Sequence, residues 1–407
     1  MIDAMGSSSD RRRLVLAGIV LSALTLRPQI IAIGPLVDAI DRDLGVSHTV
    51  TGLLGTIPLL CMGIFAPAAG PLAARVGATR AMTLVLIAIA AGGIGRALVP
   101  GALGVIVMTL PIGIGIAVGN VLAPVLVKAS FADRPMLATG LYAFGIQIGA
   151  GAAGALAVPL SDSLGGWRDS LLVISLACAV VAVAWLPVAR AVHMPATSQR
   201  APRLPWRSRP AWRLAIMFAC VSTTYYGIGA WLSDAFVEHG WSEARAGSLT
   251  GVLNIAALGG TLLLAFAGDR VGSRRAYLVG GLSLVLAGLL LAIAAPDAGI
   301  LAALLMGFGI GLGFSLSMGL PVDVAHDGAS VAATTGMMLL VAYTIAAASP
   351  VGLGAVRDLT GGYAAVLWVL VATAAAGVAL GATLSDNWIR HARANSGEHR
   401  PAAPAST

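Results

Sequence analysis

Apolar runs of about twenty residues follow one another along almost the whole chain, and that spacing leaves few folds open. A hydrocarbon core of about 30 Å is crossed by about 20 apolar residues of helix. Twelve stretches meet or approach that length, near residues 14–37, 50–73, 81–99, 103–127, 138–160, 170–187, 214–237, 246–267, 276–295, 300–322, 330–355 and 364–384. Each has to be helical, because a backbone group facing lipid finds no water and must be satisfied within its own segment. With 58% hydrophobic residues and only 11% charged ones, a soluble globular chain is excluded. The expectation is an all-α integral membrane protein of twelve transmembrane helices, with the lipid bilayer as its surroundings.

The net charge of +7 does not point to nucleic acid, because its distribution has a simpler cause. An even number of spans puts both tails on one side, and nineteen of the 25 Lys and Arg then fall there, from Arg11, Arg12 and Arg13 to Arg390, Arg393 and Arg400. Five, Arg42, Arg96, Arg168, Arg245 and Arg357, fall on the other. The positive-inside rule makes the richer side cytoplasmic, so both termini are expected inside a cell whose inner (plasma) membrane the chain crosses repeatedly. Arg11 to Arg13 followed by Leu14 to Leu26 imitates a secretory signal. Its removal would leave an odd number of spans, so it is read as the start of the first one.

Little else in the composition suggests chemistry. Cys61, Cys178 and Cys220 lie inside expected spans without CxxC spacing and read as packing residues. The six histidines lie in loops or the tail. No Walker loop, GxSxG elbow or HExxH sequence occurs, so ATP hydrolysis and metal catalysis have no support. No cofactor, metal or enzymatic activity is expected.

The remaining cation, Arg27, stands deep within the first run, about 20 Å of helix rise from Leu14 and beyond an easy snorkel to that surface. An arginine at mid-helix costs about 2.5 to 3.5 kcal/mol on insertion scales and is tolerated where it lines a watery path or meets a negative charge. With no evident carboxylate partner in the apolar runs, a bound anion is the leading candidate. Residues three, four or seven apart share a helix face. Arg27 is therefore expected beside Ala23, Ile30, Ile31 and Gly34, with Gln29 pointing elsewhere unless Pro28 distorts the turn. Asn120, Gln147 and Asn254 each sit on a face of small residues, Tyr225 and Tyr226 lie too deep for an interfacial belt, and Tyr343 in the eleventh run is a further donor. These six join Arg27 as candidate substrate contacts. Buried Asn and Gln also bridge helices, by bonds worth about 0.6 kcal/mol in membranes, and that alternative stands beside the first.

The chain repeats itself. Ala74-Arg75-Val76-Gly77-Ala78-Thr79-Arg80 matches Asp269-Arg270-Val271-Gly272-Ser273-Arg274-Arg275 at an offset of 195, and Asp162 with Gly165-Gly166-Trp167 matches Asp358 with Gly361-Gly362-Tyr363 at 196. Two pseudo-symmetric six-helix bundles follow. They are expected at 14–189 and 214–384, with an N-tail at 1–13, a Pro- and Arg-rich cytoplasmic linker at 190–213 and a C-tail at 385–407.

The loop from Asp269 to Arg275 resembles the signature loop of the major facilitator superfamily. The resemblance implies alternating access, and a conformational latch in which Asp269, Arg270 and, from the first copy, Arg75 hold helix ends together. The N-terminal copy departs from the pattern, since Ala74 replaces the acid. More narrowly, Leu26-Arg27-Pro28, Gly34-Pro35-Leu36, Gly52-Leu53-Leu54-Gly55-Thr56-Ile57-Pro58 with Met62-Gly63, and Arg96, are similar to the cyanate permease and 2-nitroimidazole transporter branch.

The expected function is secondary active transport of a small anionic or polar solute, cyanate- or nitroimidazole-like, in the direction of uptake and by a monomer, with a proton as the candidate coupling ion. The rival is a proton-coupled exporter of drugs or metabolites. Such an exporter calls for a titratable carboxylate on the path, and Asp38 and Asp234 lie near helix ends.

Overall fold

The structure, a computed structural model, describes residues 8–46, 48–131, 133–191, 203–271 and 273–384. Among them there are helices and no strand. The first span is broken into α1 (Ser8–Ala23), α2 (Pro28–Ile31), a 3-10 turn at Gly34–Leu36 and α3 (Val37–Leu44). The second is α4 (His48–Ile64) and α5 (Ala69–Val76), which meet at a bend of 47° around Ala66–Ala68. One span each is formed by α6 (Ala78–Leu98), α7 (Gly101–Ser130), α8 (Pro135–Leu164), α9 (Trp167–Ala191), α10 (Arg209–Glu238), α11 (Glu243–Val271), α12 (Arg274–Ala294), α13 (Gly299–Val324), α14 (Gly328–Thr360) and α15 (Ala364–Thr383). Counting the bent pair as one, twelve segments are long and apolar enough to cross a membrane. Residues 192–202 of the expected linker and all of the C-tail lie outside the described residues.

The break in the first span corrects the expectation of a continuous helix through Val37. Pro28 has no amide proton to give to the Leu24 carbonyl, and the chain tightens before it: the amides of Thr25 and Leu26 bond three residues back, to Ser22 (3.2 Å) and Ala23 (3.1 Å). The side chains of Ser22 and Thr25 cap nearby carbonyls at 2.8 Å each. Helix α8 closes over the break, since a Cβ at Gly145 or Gly149 would run into the carbonyls of Val20 or Leu24.

The repeat read from the sequence reappears as matching braces. Gly165 and Gly361 end α8 and α14 in the left-handed conformation (φ 107° and 76°), which a side chain would resist. Beside them, the Trp167 indole donates to Asp43 (3.1 Å) and the Tyr363 amide to Glu238 (2.8 Å). Asp43 and Glu238 are themselves 195 residues apart. Each bundle is thus tied to its own first span at one end.

The other end carries the 74–80 and 269–275 loops and is called here the basic end. A single buried apolar cluster runs through both bundles there, from Met82 and Leu126 to Leu316 and Met338. Toward the opposite end it divides into two, one around Ile33, Ile40 and Leu171 in the first bundle and one around Phe236, Leu289 and Leu367 in the second. The bundles are therefore joined at the basic end and part toward the other.

Candidate functional site

Where the bundles part, the broken first span presents Arg27, 8% exposed, to the second bundle. Its Nη1 donates to the Tyr226 hydroxyl at 3.1 Å and its Nη2 to the Tyr343 hydroxyl at 3.4 Å. Its guanidinium carbon lies 6.0 Å from the centre of the Phe314 ring, within cation–π reach. Tyr225 packs edge-on against Tyr226 with centroids 5.2 Å apart, and Phe218 stands at 90° to Tyr343. Arg27 thus leans on neutral hydroxyls and ring faces from α10, α13 and α14, and its charge is left uncancelled by them.

Arg27, Tyr225, Tyr226, Phe314 and Tyr343 line a cavity together with Gln147, Ser222, Thr261, Ile310 and Gly311. Among the described residues lining it there is no Asp or Glu. Toward the basic end it is sealed where Gly140 of α8 meets Ala265 of α11, too close for a Cβ on the glycine. Toward the opposite end the same helix faces continue as Gly151, Gly229, Gly247 and Gly251, where an added Cβ would meet nothing within 4 Å.

Of the seven candidates from the sequence, Arg27, Gln147, Tyr225, Tyr226 and Tyr343 meet in this cavity. Asn120 and Asn254 are not among its lining residues. Asn120 is buried and accepts from the Tyr142 hydroxyl at 2.7 Å, and Asn254 donates to the Thr250 carbonyl of its own helix at 3.0 Å. Helical spacing cannot separate these cases, because a path-facing amide and a bridging one look alike in an apolar run. Phe314, Ser222 and Thr261 were missed; Thr261, one heptad beyond Asn254, was the one with a usable signal.

Arg96 is also corrected. It was counted with the surface charges and is instead 0% exposed on α6. Its Nη2 donates to the side-chain oxygen (2.7 Å) and the backbone carbonyl (2.9 Å) of Gln29. Gln29 therefore points away from Arg27, into the first bundle.

At the basic end Asp269 crosses between the bundles. Its two carboxylate oxygens accept from the amides of Met136 (3.1 Å) and Leu137 (2.9 Å), the second and third residues of α8. Those amides have no partner within the helix, and a carboxylate is favoured at a helix N-terminus. The arginine that accompanies Asp269 is Arg274, at 3.7 Å, rather than Arg270; Arg274 also donates to Asp323 (2.9 Å) and the Gly268 carbonyl (2.9 Å). Arg270 and Arg75 are exposed. In the first copy, where Ala74 replaces the acid, small residues meet instead: Gly70 faces Ala332, and Gly336 faces Pro67. Lys128 adds a bond to the Val322 carbonyl at 2.7 Å. Outside the spans, Arg12 hydrogen-bonds to Asp133 and holds its carboxyl below the usual carboxylate range.

Comparison with known proteins finds relatives over most of the chain. The 2-nitroimidazole transporter of Escherichia coli (strain K12) is 35% identical over 374 residues, covering 89% of this chain and 93% of its own. The cyanate transport protein CynX of the same organism is 29% identical over 85% and 90% of the two chains. A solved structure of the proton:xylose symporter XylE superposes with a TM-score of 0.75 over 93% of this chain and 96% of its own, at 11% identity, and so shares the fold. The family model of the Major Facilitator Superfamily matches residues 19–350, and the chain belongs to that superfamily of membrane transporters.

Proposed function

We propose that the protein imports a small anionic or polar solute, cyanate- or nitroimidazole-like, across the plasma membrane by alternating access, with Arg27 as its main point of attraction. The observation that carries this reading is a desolvated guanidinium in an acid-free cavity where the two bundles part. Its fork of donors suits an anion or a strongly polar acceptor. Gln147, Tyr225, Tyr226 and Tyr343 complete the binding surface. Similarity to a 2-nitroimidazole transporter and a cyanate transport protein supports the same solute range.

In this reading the basic end is cytoplasmic, both termini lie inside, and the conformation described faces outward. Asp269 on the α8 N-terminus, with Arg274, is the latch that keeps the cytoplasmic side shut. The exporter reading gains nothing from the geometry: Asp38 and Asp234 are exposed near helix ends, away from the cavity lining.

The test is uptake of labelled cyanate, nitrate and 2-nitroimidazole by cells with wild type, Arg27→Lys or Arg27→Ala at matched membrane levels. Accumulation of one compound by the wild type, weakened in Arg27→Lys and abolished in Arg27→Ala, is expected. Undiminished uptake by Arg27→Ala sinks the role of Arg27, and lower accumulation in wild-type cells than in empty ones reverses the direction. Asp38→Asn and Asp234→Asn should transport as the wild type does.

A further inference from the structure

The way Arg27 is held narrows the solute, and this inference rests on the transport reading above. Its two terminal nitrogens each donate to a separate phenol, Tyr226 at 3.1 Å and Tyr343 at 3.4 Å. Each phenol oxygen accepts from Arg27, so its own proton remains to be given elsewhere. The site therefore offers four donors in two matched pairs, one nitrogen and one hydroxyl on either side of the fork. Ring faces of Tyr225 and Phe314 border the same cavity, and Gln147 supplies an amide with both donor and acceptor. Two acceptor oxygens in one plane satisfy both pairs at once, and a flat ring behind them meets the aromatic side chains of Tyr225 and Phe314 once these draw apart to admit it. We propose that the preferred solute is a small planar ring bearing a two-oxygen acceptor, a carboxylate or a nitro group. A linear anion such as cyanate carries its two acceptor atoms at opposite ends, so it cannot turn both toward the two pairs at once.

Binding to the purified full chain decides this, with benzoate, pyrrole-2-carboxylate, 2-nitroimidazole, cyanate and imidazole as probes. The first three should bind about tenfold or more tighter than the last two. Tyr226→Phe and Tyr343→Phe should each weaken the first three by about tenfold and cyanate by less. Cyanate binding as tightly as benzoate, benzoate binding unmoved in both Phe variants, or no saturable binding of any two-oxygen probe, overturns the assignment. Arg27→Ala separates the two levels: if it binds every probe as the wild type does, the transport reading fails, whereas loss of all binding alongside equal cyanate and benzoate affinity fails this inference alone.

A second observation stands independently. In a continuous helix the Gln29 carbonyl would accept from the Ile33 amide, but that amide turns to Ile30 instead (3.3 Å). Arg96 takes the carbonyl left over, and the Gln29 side chain as well. Gln29 in turn donates to Ser175 at 2.9 Å. The Nε and Nη1 of Arg96 have no hydrogen-bond partner among the described residues, and the side chain is wholly buried. A cation kept at such a cost on Gln29, two residues from Arg27, points to a task at the break itself. The structure assigns Arg96 as a positioning residue: it holds the orphaned carbonyl of the break and so fixes where Arg27 points.

Arg96→Met should raise KM for whichever of labelled cyanate, nitrate or 2-nitroimidazole the wild type accumulates by about tenfold, with Vmax per transporter within about twofold. Arg96→Lys, which can still serve the carbonyl, should recover part of the loss. If Arg96→Met fails to reach the membrane, Gln29→Met, which keeps the backbone bond and removes the side-chain one, should raise KM in the same direction. An unchanged KM in Gln29→Met and in any Arg96 variant that reaches the membrane reduces Arg96 to a packing role and overturns the assignment.

Discussion

A carboxylate at one end and a guanidinium at mid-depth hold the two bundles together by single residues. Asp269→Asn keeps one of the two oxygen acceptors and removes the charge at the α8 N-terminus. The charge alone is worth about 0.3 to 1 kcal/mol, so the closed basic end should lose at least about two- to fivefold in population. Faster labelling of a cysteine placed at Val125, added from the basic side in vesicles, is the readout; an unaltered rate would deny Asp269 the latch. At this scale the sequence was informative where physics makes a residue conspicuous. Arg27, Gln147 and the three tyrosines stand out because polar groups are dear in an apolar run. Asn120 and Asn254 stand out equally and yet spend their bonds on Tyr142 and Thr250. Arg96 was misjudged because its place near the end of a run resembles that of a surface charge.

At the scale of elements, glycines decide how close helices come. Gly149 touches the Leu24 carbonyl at the break, whereas Gly151, half a turn further along α8, faces open space. Gly149→Ala should therefore overpack the contact, at about 1 to 3 kcal/mol, and lower the thermal unfolding midpoint in detergent. Gly151→Ala should leave that midpoint unchanged, and an equal response from both variants would discount the contact. The existence and order of the spans were legible, since each is set by the thickness of a bilayer. The breaks after Ala23 and Ile64 were less so. A run of uniformly apolar residues carries no periodic signal to interrupt, and only Pro28 and Pro67 mark the places.

Taken whole, the molecule is one apolar body at the basic end and two at the other. A bond across the basic end should arrest it. With Cys61, Cys178 and Cys220 replaced, a Val125→Cys and Gly328→Cys pair should form a disulfide, because a Cβ at Gly328 lies 3.3 Å from Val125. Transport should stop on oxidation and return on reduction; continued transport by the oxidised protein would contradict opening at this end. The repeat made this division legible, but not the Asp43 and Glu238 braces, nor which end would be shut, because one sequence serves both states. The acid-free cavity has an electrical consequence as well. On the proposed reading Arg27 gives the cavity of the empty carrier a positive charge, which a bound monoanion would cancel. An elementary charge moved through a field of 100 mV gains or loses about 2.3 kcal/mol. Membrane voltage should then act on the return of the empty carrier more than on the turnover of the loaded one.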